Sequence, residues 1–229
     1  MVMTYSKAKD GKTKITDNFI VSEFACSDGS DRILLDDDLP RILQRIRGIA
    51  GNKPLKIASA YRTEAYNAKI KGAPNSYHMR GMAADIKIPG VAPFDVCRCA
   101  ETALAELKIK GGICLYTKDA FVHVDVRTVR WRGQNDGAGE KNVSGWAPMP
   151  VTGVSATIPP DTKKYTVRIT RGPVNIRLGP GTGFMTNGQA KIGDVHAIIE
   201  ESSGVGASLW GRLENGAGWI ALDYSVKEG

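Results

Sequence analysis

Ser76-Tyr77-His78-Met79-Arg80-Gly81-Met82-Ala83-Ala84-Asp85, taken with Phe121-Val122-His123-Val124-Asp125-Val126, decides how the first half of this chain folds. In the second stretch the valines fall on one face of a strand, and His123 and Asp125 fall on the other. The valine face suits a core and the polar face suits the wall of a cleft. His78 and Asp85 stand seven residues apart. In one continuous helix that is about two turns, with a residue at each end. A turn at Gly81 leading into a strand over 84–88 brings them together instead, with Ile86 and Ile88 turned to the core. The first 150 residues hold two of the chain's three histidines, His78 and His123. Two imidazoles and a carboxylate form a three-ligand set for zinc and leave a fourth position for water. Asp125, next along the polar face, either orients an imidazole or takes a proton from that water.

The surrounding sequence is mixed α and β. Asp38-Leu39-Pro40 opens a helix with Leu39, Ile42, Leu43, Ile46 and Ile49 on one face, closed by Gly51. A strand is expected at 54–58, a helix at 64–71 and a strand at 121–126. A second amphipathic helix carries Val96, Ala100, Ala103, Leu104 and Leu107. The fold class expected is α+β, an antiparallel sheet with flanking helices, over residues 1–146. Four of the eleven prolines then lie within residues 147–160. That stretch has no apolar period, and 147–164 reads as a semi-rigid linker. Short alternating runs at 165–169, 174–178, 194–199, 209–213 and 218–222, separated by glycine turns, predict a small all-β barrel over 165–229.

The formal net charge is +7. Residues 1–150 hold 23 Lys and Arg against 17 Asp and Glu, so the excess lies in the N-terminal part. A basic surface favours polyanions. No stripe of alternating basic and aromatic residues marks a nucleic-acid face, and no nucleic-acid partner is expected. No apolar run approaches the roughly 20 residues of a membrane span, so no membrane insertion is expected. The N-terminus lacks the apolar core of a secretory leader. The expectation is synthesis in the cytoplasm, action after release from the cell, and a monomer. Cys26, Cys97, Cys99 and Cys114 read as small core residues.

The first stretch fits Ser-x-His-x-x-Gly-x-Ala-x-Asp at every fixed position. It resembles the zinc peptidases of the D-Ala-D-Ala carboxypeptidase type, the M15 group, related to hedgehog-type domains. Val21-Ser22-Glu23-Phe24-Ala25-Cys26, Ser59-Ala60-Tyr61-Arg62-Thr63 with Tyr66-Asn67, and the 121–127 strand extend the likeness over residues 15–132. The resemblance implies Zn2+ held by His78, Asp85 and His123, Arg62 beside the substrate, and substrate contacts from Ser76 and Tyr61. Many relatives place an acid three residues before the second zinc histidine, and others a histidine two before. Here those positions are Ala120 and Phe121. Asp125 is then the first candidate for the proton acceptor and Asp119 the second.

Val174-Asn175-Ile176-Arg177-Leu178-Gly179-Pro180-Gly181-Thr182, with Leu209-Trp210-Gly211-Arg212-Leu213 and Gly218-Trp219-Ile220-Ala221-Leu222-Asp223-Tyr224, resembles a bacterial SH3-type domain. Trp210 and Trp219 suit its core, and Asn175 and Tyr224 are candidates for wall binding. Together the resemblances imply a peptidoglycan peptidase that cuts an L-Ala–D-Glu or D-Ala–D-Ala type bond. A phage or prophage endolysin that binds bacterial peptidoglycan fits this set. The alternative is a wall-binding protein whose peptidase fold is inactive.

Overall fold

The computed structural model describes residues 1–143, 146 and 165–228. The described residues divide into two compact units, one of residues 1–141 and one of 142–143, 146 and 165–228. The stretch 147–164, expected as a linker, lies outside the described residues.

The first unit opens with β1 (Val2–Ser6), the short α1 (Lys7–Asp10) and β2 (Arg32–Asp36), and β1 pairs antiparallel with β2. Next comes α2 (Asp38–Ile49), whose Leu39, Ile42, Leu43, Ile46 and Ile49 are all buried. That spacing puts one apolar stripe against the core, as the sequence pattern requires. The chain continues through β3 (Lys56–Ser59), α3 (Glu64–Lys69), β4 (Ala83–Lys87) and α4 (Pro93–Glu106). It ends in β5 (Gly112–Tyr116), β6 (Phe121–Asp125), β7 (Trp131–Asn135) and β8 (Glu140–Asn142). Thr63 starts α3 by accepting a hydrogen bond from the Tyr66 N–H. Arg132 on β7 donates to Glu101 of α4 at 2.7 Å and to the Gly111 carbonyl at 2.8 Å, which ties the helix to the sheet.

Six strands form the sheet under the site, in the order β3-β4-β6-β5-β7-β8. The wholly antiparallel sheet expected from sequence needs one correction, because β5 and β7 run parallel. The chain leaves β6 and passes β5 to reach its free edge, so β7 must arrive in β5's direction. Register places Ser59, Asp85, His123, Cys114 and Gly133 in one row across β3, β4, β6, β5 and β7. Phe121, Tyr116 and Asn135 share the next row, and Asp125, Gly112 and Trp131 the row on the other side. The opposite face carries Ile86, Val122, Val124, Ile113 and Leu115, all buried.

The second unit is all β: β9 (Tyr165–Ile169), β10 (Val174–Arg177), β11 (Thr186–Ala190), β12 (Val195–Gly204), β13 (Ala207–Leu213), β14 (Trp219–Ala221) and β15 (Ser225–Glu228). They form one sheet in the order β11-β10-β14-β13-β12-β9-β15. The small barrel expected here is not found closed among the described residues, where β11 and β15 remain the two ends of the ladder. Register shifts at Ile176/Arg177, Ile198/Glu200 and Ser202/Gly204 bend the strands. The bent sheet buries Trp210, Trp219, Ile198 and Ile220, which form the core expected of the two tryptophans. No helix among the described residues is long and apolar enough to cross a membrane.

Candidate metal centre

The 3-10 turn Tyr77–Arg80 and β4 bring His78 and Asp85 to one place. Ser76 starts the turn, its hydroxyl accepting from the His78 N–H at 3.3 Å. Gly81 ends it in the left-handed region at φ 69°. A Cβ there would sit 2.3 Å from the Leu34 carbonyl, so both the backbone angle and the space demand glycine. β6 lies beside β4 and delivers His123 opposite Asp85.

The three side chains converge closely. His78 Nε2 lies 3.1 Å from His123 Nδ1 and 3.3 Å from Asp85 Oδ1, and His123 Nδ1 lies 3.0 Å from Asp85 Oδ1. Among the described residues they form the one His/Cys/Asp/Glu group arranged to hold a metal ion. Two atoms bound at about 2.0–2.1 Å to a tetrahedral zinc lie about 3.3 Å apart, close to these separations.

The surroundings fix what those atoms present. His78 Nδ1 donates to the Ala60 carbonyl at 2.7 Å. A carbonyl only accepts, so the neutral ring must aim the Nε2 lone pair inward. His123 Nε2 donates to Asp125 Oδ2 at 3.1 Å, which aims the Nδ1 lone pair inward as well. With both rings neutral, two imidazole lone pairs and a carboxylate oxygen meet with no proton among them. Acceptors brought this close repel unless a cation sits between them, and the donor set suits zinc. All three side chains are buried, at 3%, 6% and 7% exposure for His78, Asp85 and His123.

The electrostatics point the same way. Burial disfavours a charged His123, but its hydrogen bonds to Asp125 and Asp85, and their charges, outweigh that and raise it to about 10. Burial lowers His78 despite the neighbouring Asp85. Asp85 is held far below the usual carboxylate range, because the two imidazoles overcome the cost of its burial. The pocket stabilises positive charge between these groups, and a metal ion can take the place of a proton there. Burial also pushes the Cys114 thiol up, so the sulfur beside His123 stays neutral.

Asp125 is wholly enclosed. It accepts from the Gly112 N–H at 3.1 Å, from the Arg127 N–H at 2.9 Å and from the Arg127 guanidinium at 2.5–2.9 Å. A Cβ on Gly112 would meet Asp125 Oδ2 at 2.4 Å and Arg127 Nε at 2.6 Å, so glycine opposite Asp125 leaves room for this pair. Both oxygens are occupied, and His123 with Arg127 keeps the carboxyl far below its ordinary range against the cost of burial. That geometry suits one of the two roles, orienting His123, and leaves neither carboxylate oxygen without a hydrogen bond. Asp119 is not on the cleft wall; its carbonyl accepts from Lys87 Nζ.

A cleft of about 480 Å³ lies over the triad, lined also by Arg62, Ser76, Tyr116 and Glu140. Arg62 donates through Nη2 to Asp85 Oδ2 at 2.5 Å and through Nε to Ser59 at 2.8 Å. Tyr61 does not join it. Tyr61 is 7% exposed and absent from the cleft wall, and the Ala60 carbonyl before it is turned to His78. Sequence reasoning missed Arg127, Tyr116 and Glu140. Arg127 had a readable signal, since it stands two beyond Asp125 at the end of the same strand. In the second unit, a groove of about 200 Å³ is lined by Asn175 and Tyr224 together with Trp210.

Comparison with known proteins adds to this geometry. Residues 16–125 match the family model Peptidase M15. The chain is 31% identical over 102 residues to a peptidoglycan L,D-endopeptidase MepK of Escherichia coli (strain K12), covering 42% of this chain and 53% of that protein. It is 34% identical over 105 residues to a probable peptidoglycan L,D-endopeptidase MepK of Haemophilus influenzae, covering 41% of this chain and 54% of that protein. The chain thus spans about half the length of the curated relatives it matches. The M15 match holds His78, Asp85, His123, Arg62 and Asp125, and stops before Arg127 and Glu140.

Proposed function

We propose that the protein is a zinc-dependent peptidase that cuts a stem-peptide bond in bacterial peptidoglycan. The convergence of three ligand atoms, two imidazole nitrogens and a carboxylate oxygen, within 3.0–3.3 Å carries this reading. The M15 match and the names of the relatives support the cell wall as substrate. A zinc ion held by His78 Nε2, His123 Nδ1 and Asp85 Oδ1 would supply Lewis-acid activation of water and of the peptide carbonyl. The Ala60 carbonyl and Asp125 keep the two imidazoles in the tautomers that bind. Arg62 holds the outer oxygen of Asp85 and presents its remaining N–H groups to the cleft, where they suit a developing oxyanion. Ser76 holds the turn that carries His78.

The bonds in view are L-Ala–D-Glu, D-Ala–D-Ala and a cross-bridge bond, and the L,D-endopeptidase name of the relatives favours a bond between an L and a D residue. Mass spectrometry of fragments released from walls of several defined chemotypes tests the reading. New amino ends at one bond type are expected. A protein that carries stoichiometric zinc yet releases nothing from any wall is instead a wall-binding protein with an idle peptidase fold.

The second unit fits a wall anchor of the SH3 type, and a separate wall-binding unit on a peptidase chain fits an endolysin. Its groove offers the Tyr224 ring, over which Arg171 lies at 5.4 Å, and the Asn175 amide. An anchor raises the local concentration of substrate for the unit tethered to it. Replacing both Asn175 and Tyr224 by alanine is expected to weaken co-sedimentation with purified walls about tenfold, the order set by a few lost polar and stacking contacts. Unchanged retention removes the groove from wall binding.

A further inference from the structure

Four charged residues line the cleft: Arg62, Lys71, Asp85 and Glu140. Two of them neutralise each other, since Arg62 is bonded to Asp85 at 2.5 Å. Nearby charges outside the lining are engaged elsewhere, Lys141 on Asp136 and Arg127 on Asp125, with Glu140 adding a weaker pull on Arg127. Lys71 and Glu140 are left, of opposite sign and with no ion pair recorded for either among the described residues.

Topology separates these two. Lys71 follows α3, just after the edge strand β3, whereas Glu140 starts β8 at the other edge. Asp85 and His123 of the triad stand on β4 and β6 between these edges. A ligand lying across the strands over the triad therefore meets a cation at one end and an anion at the other.

The Glu140 carboxylate is held in place, and so is the backbone that carries Lys71. Tyr116 donates its hydroxyl to Glu140 Oε1 at 2.6 Å. The Tyr116 ring is itself fixed, stacked on Phe121 with centroids 4.2 Å apart and planes at 17°. One carboxylate oxygen is occupied and aimed by this bond, which leaves Oε2 for a ligand. Burial and the neighbouring Glu140 push the Tyr116 hydroxyl upward, so it remains a donor. On the other wall, Asn67 is 3% exposed and its amide donates to the Ala73 carbonyl at 3.0 Å, closing the turn that contains Lys71. Lys71 sits there at φ 56°, with its N–H donating to Ala68.

We propose that Glu140, aimed by Tyr116, is a subsite for a cationic amine of the substrate, and that Lys71 takes a carboxylate at the opposite end. The cleft then selects a peptide with an ammonium group on one side of the scissile bond and a carboxylate on the other. This inference rests on the peptidase reading and adds direction and substrate chemistry to it.

The test uses the whole chain and the synthetic peptide N-acetyl-L-Ala-D-γ-Glu-L-Lys-D-Ala-D-Ala, in which the D-Ala–D-Ala bond lies between the ε-amine and the C-terminal carboxylate, with the ε-amine free or acetylated and the C-terminus as acid or amide. Binding is measured by calorimetry after chelation, and KM and kcat are measured on the zinc-loaded protein. The free-amine peptide is expected to bind about tenfold more tightly than the acetylated one, the order for one charge-assisted hydrogen bond in a partly solvated cleft. Glu140→Gln should abolish that preference, Tyr116→Phe should reduce it, and Lys71→Ala should abolish the preference for acid over amide. Thermal melts of each variant confirm that it is folded. Equal affinity for free and acetylated peptides in the parent, full preference in Glu140→Gln, or no binding of any peptide overturns the subsite. Cleavage of walls without amine preference sinks the subsite and leaves the peptidase standing. Amine-selective binding with no cleavage of any wall does the reverse.

Discussion

Replacing His78 by alanine is expected to strip the protein of stoichiometric zinc and to lower release of wall peptides by on the order of 10³-fold or more. The magnitude follows from what the ion supplies. Lowering the pKa of water from about 15.7 to about 7 and polarising a carbonyl are worth several kcal/mol, and each 1.36 kcal/mol is a factor of ten. The loss should be nearly complete because the site has no spare ligand. Cys114 is not among the side chains gathered on the site, Asp125 is spent on Arg127, and Arg62 holds the second oxygen of Asp85. The fold should survive, since the His78 ring contributes one hydrogen bond to Ala60 while the turn is capped by Ser76 and Gly81. Zinc content by elemental analysis, wall turbidity and a thermal melt separate these outcomes. Full hydrolysis by a zinc-free His78→Ala protein would remove the metal from the mechanism.

The same residues show what was legible in the sequence. Phe121 to Val126 was readable because its two faces differ in chemistry, so period-2 alternation named both the core side and the cleft side. The turn at Gly81 was readable because His78 and Asp85 cannot share an ion along one helix. β5 escaped notice for the opposite reason. Gly112-Ile113-Cys114-Leu115-Tyr116 is covered on both faces, and a run buried on both faces has no alternation to read. β8, β11 and β15 are short, exposed segments with weak apolar patterns. The partnerships that define the cleft were beyond reach for another reason. Arg62 and Asp85 are 23 residues apart, and Tyr116 and Glu140 are 24 apart. Sheet order joins them, and sheet order is set by which strands find each other, which no local window contains. The parallel β5–β7 pairing belongs to the same class of fact.

Asp125→Asn separates the two roles that strand geometry left open, and the expected result is a zinc defect. Asparagine can still accept the His123 Nε2–H, but it loses the ionised oxygen that strengthens that bond and holds Arg127. Removing a carboxylate partner of a metal-binding histidine costs about 10–100-fold in metal affinity. Competition against a chromogenic chelator should show a loss of that size, and saturating zinc should restore most of the turnover. A proton acceptor behaves differently. Its amide variant binds zinc as well as the parent and stays about 10²–10⁴-fold slow at any zinc concentration. Arg127→Lys supplies the control. A point charge cannot reproduce the guanidinium fork on both Asp125 oxygens. If Asp125 works by fixing His123, this change lowers zinc affinity in the same direction and by less. If Asp125 accepts protons, loosening its cationic partner leaves zinc untouched and moves only the rate. Parent-like zinc affinity in both variants would therefore return the carboxylate to the role of base, despite its burial and its full set of hydrogen bonds.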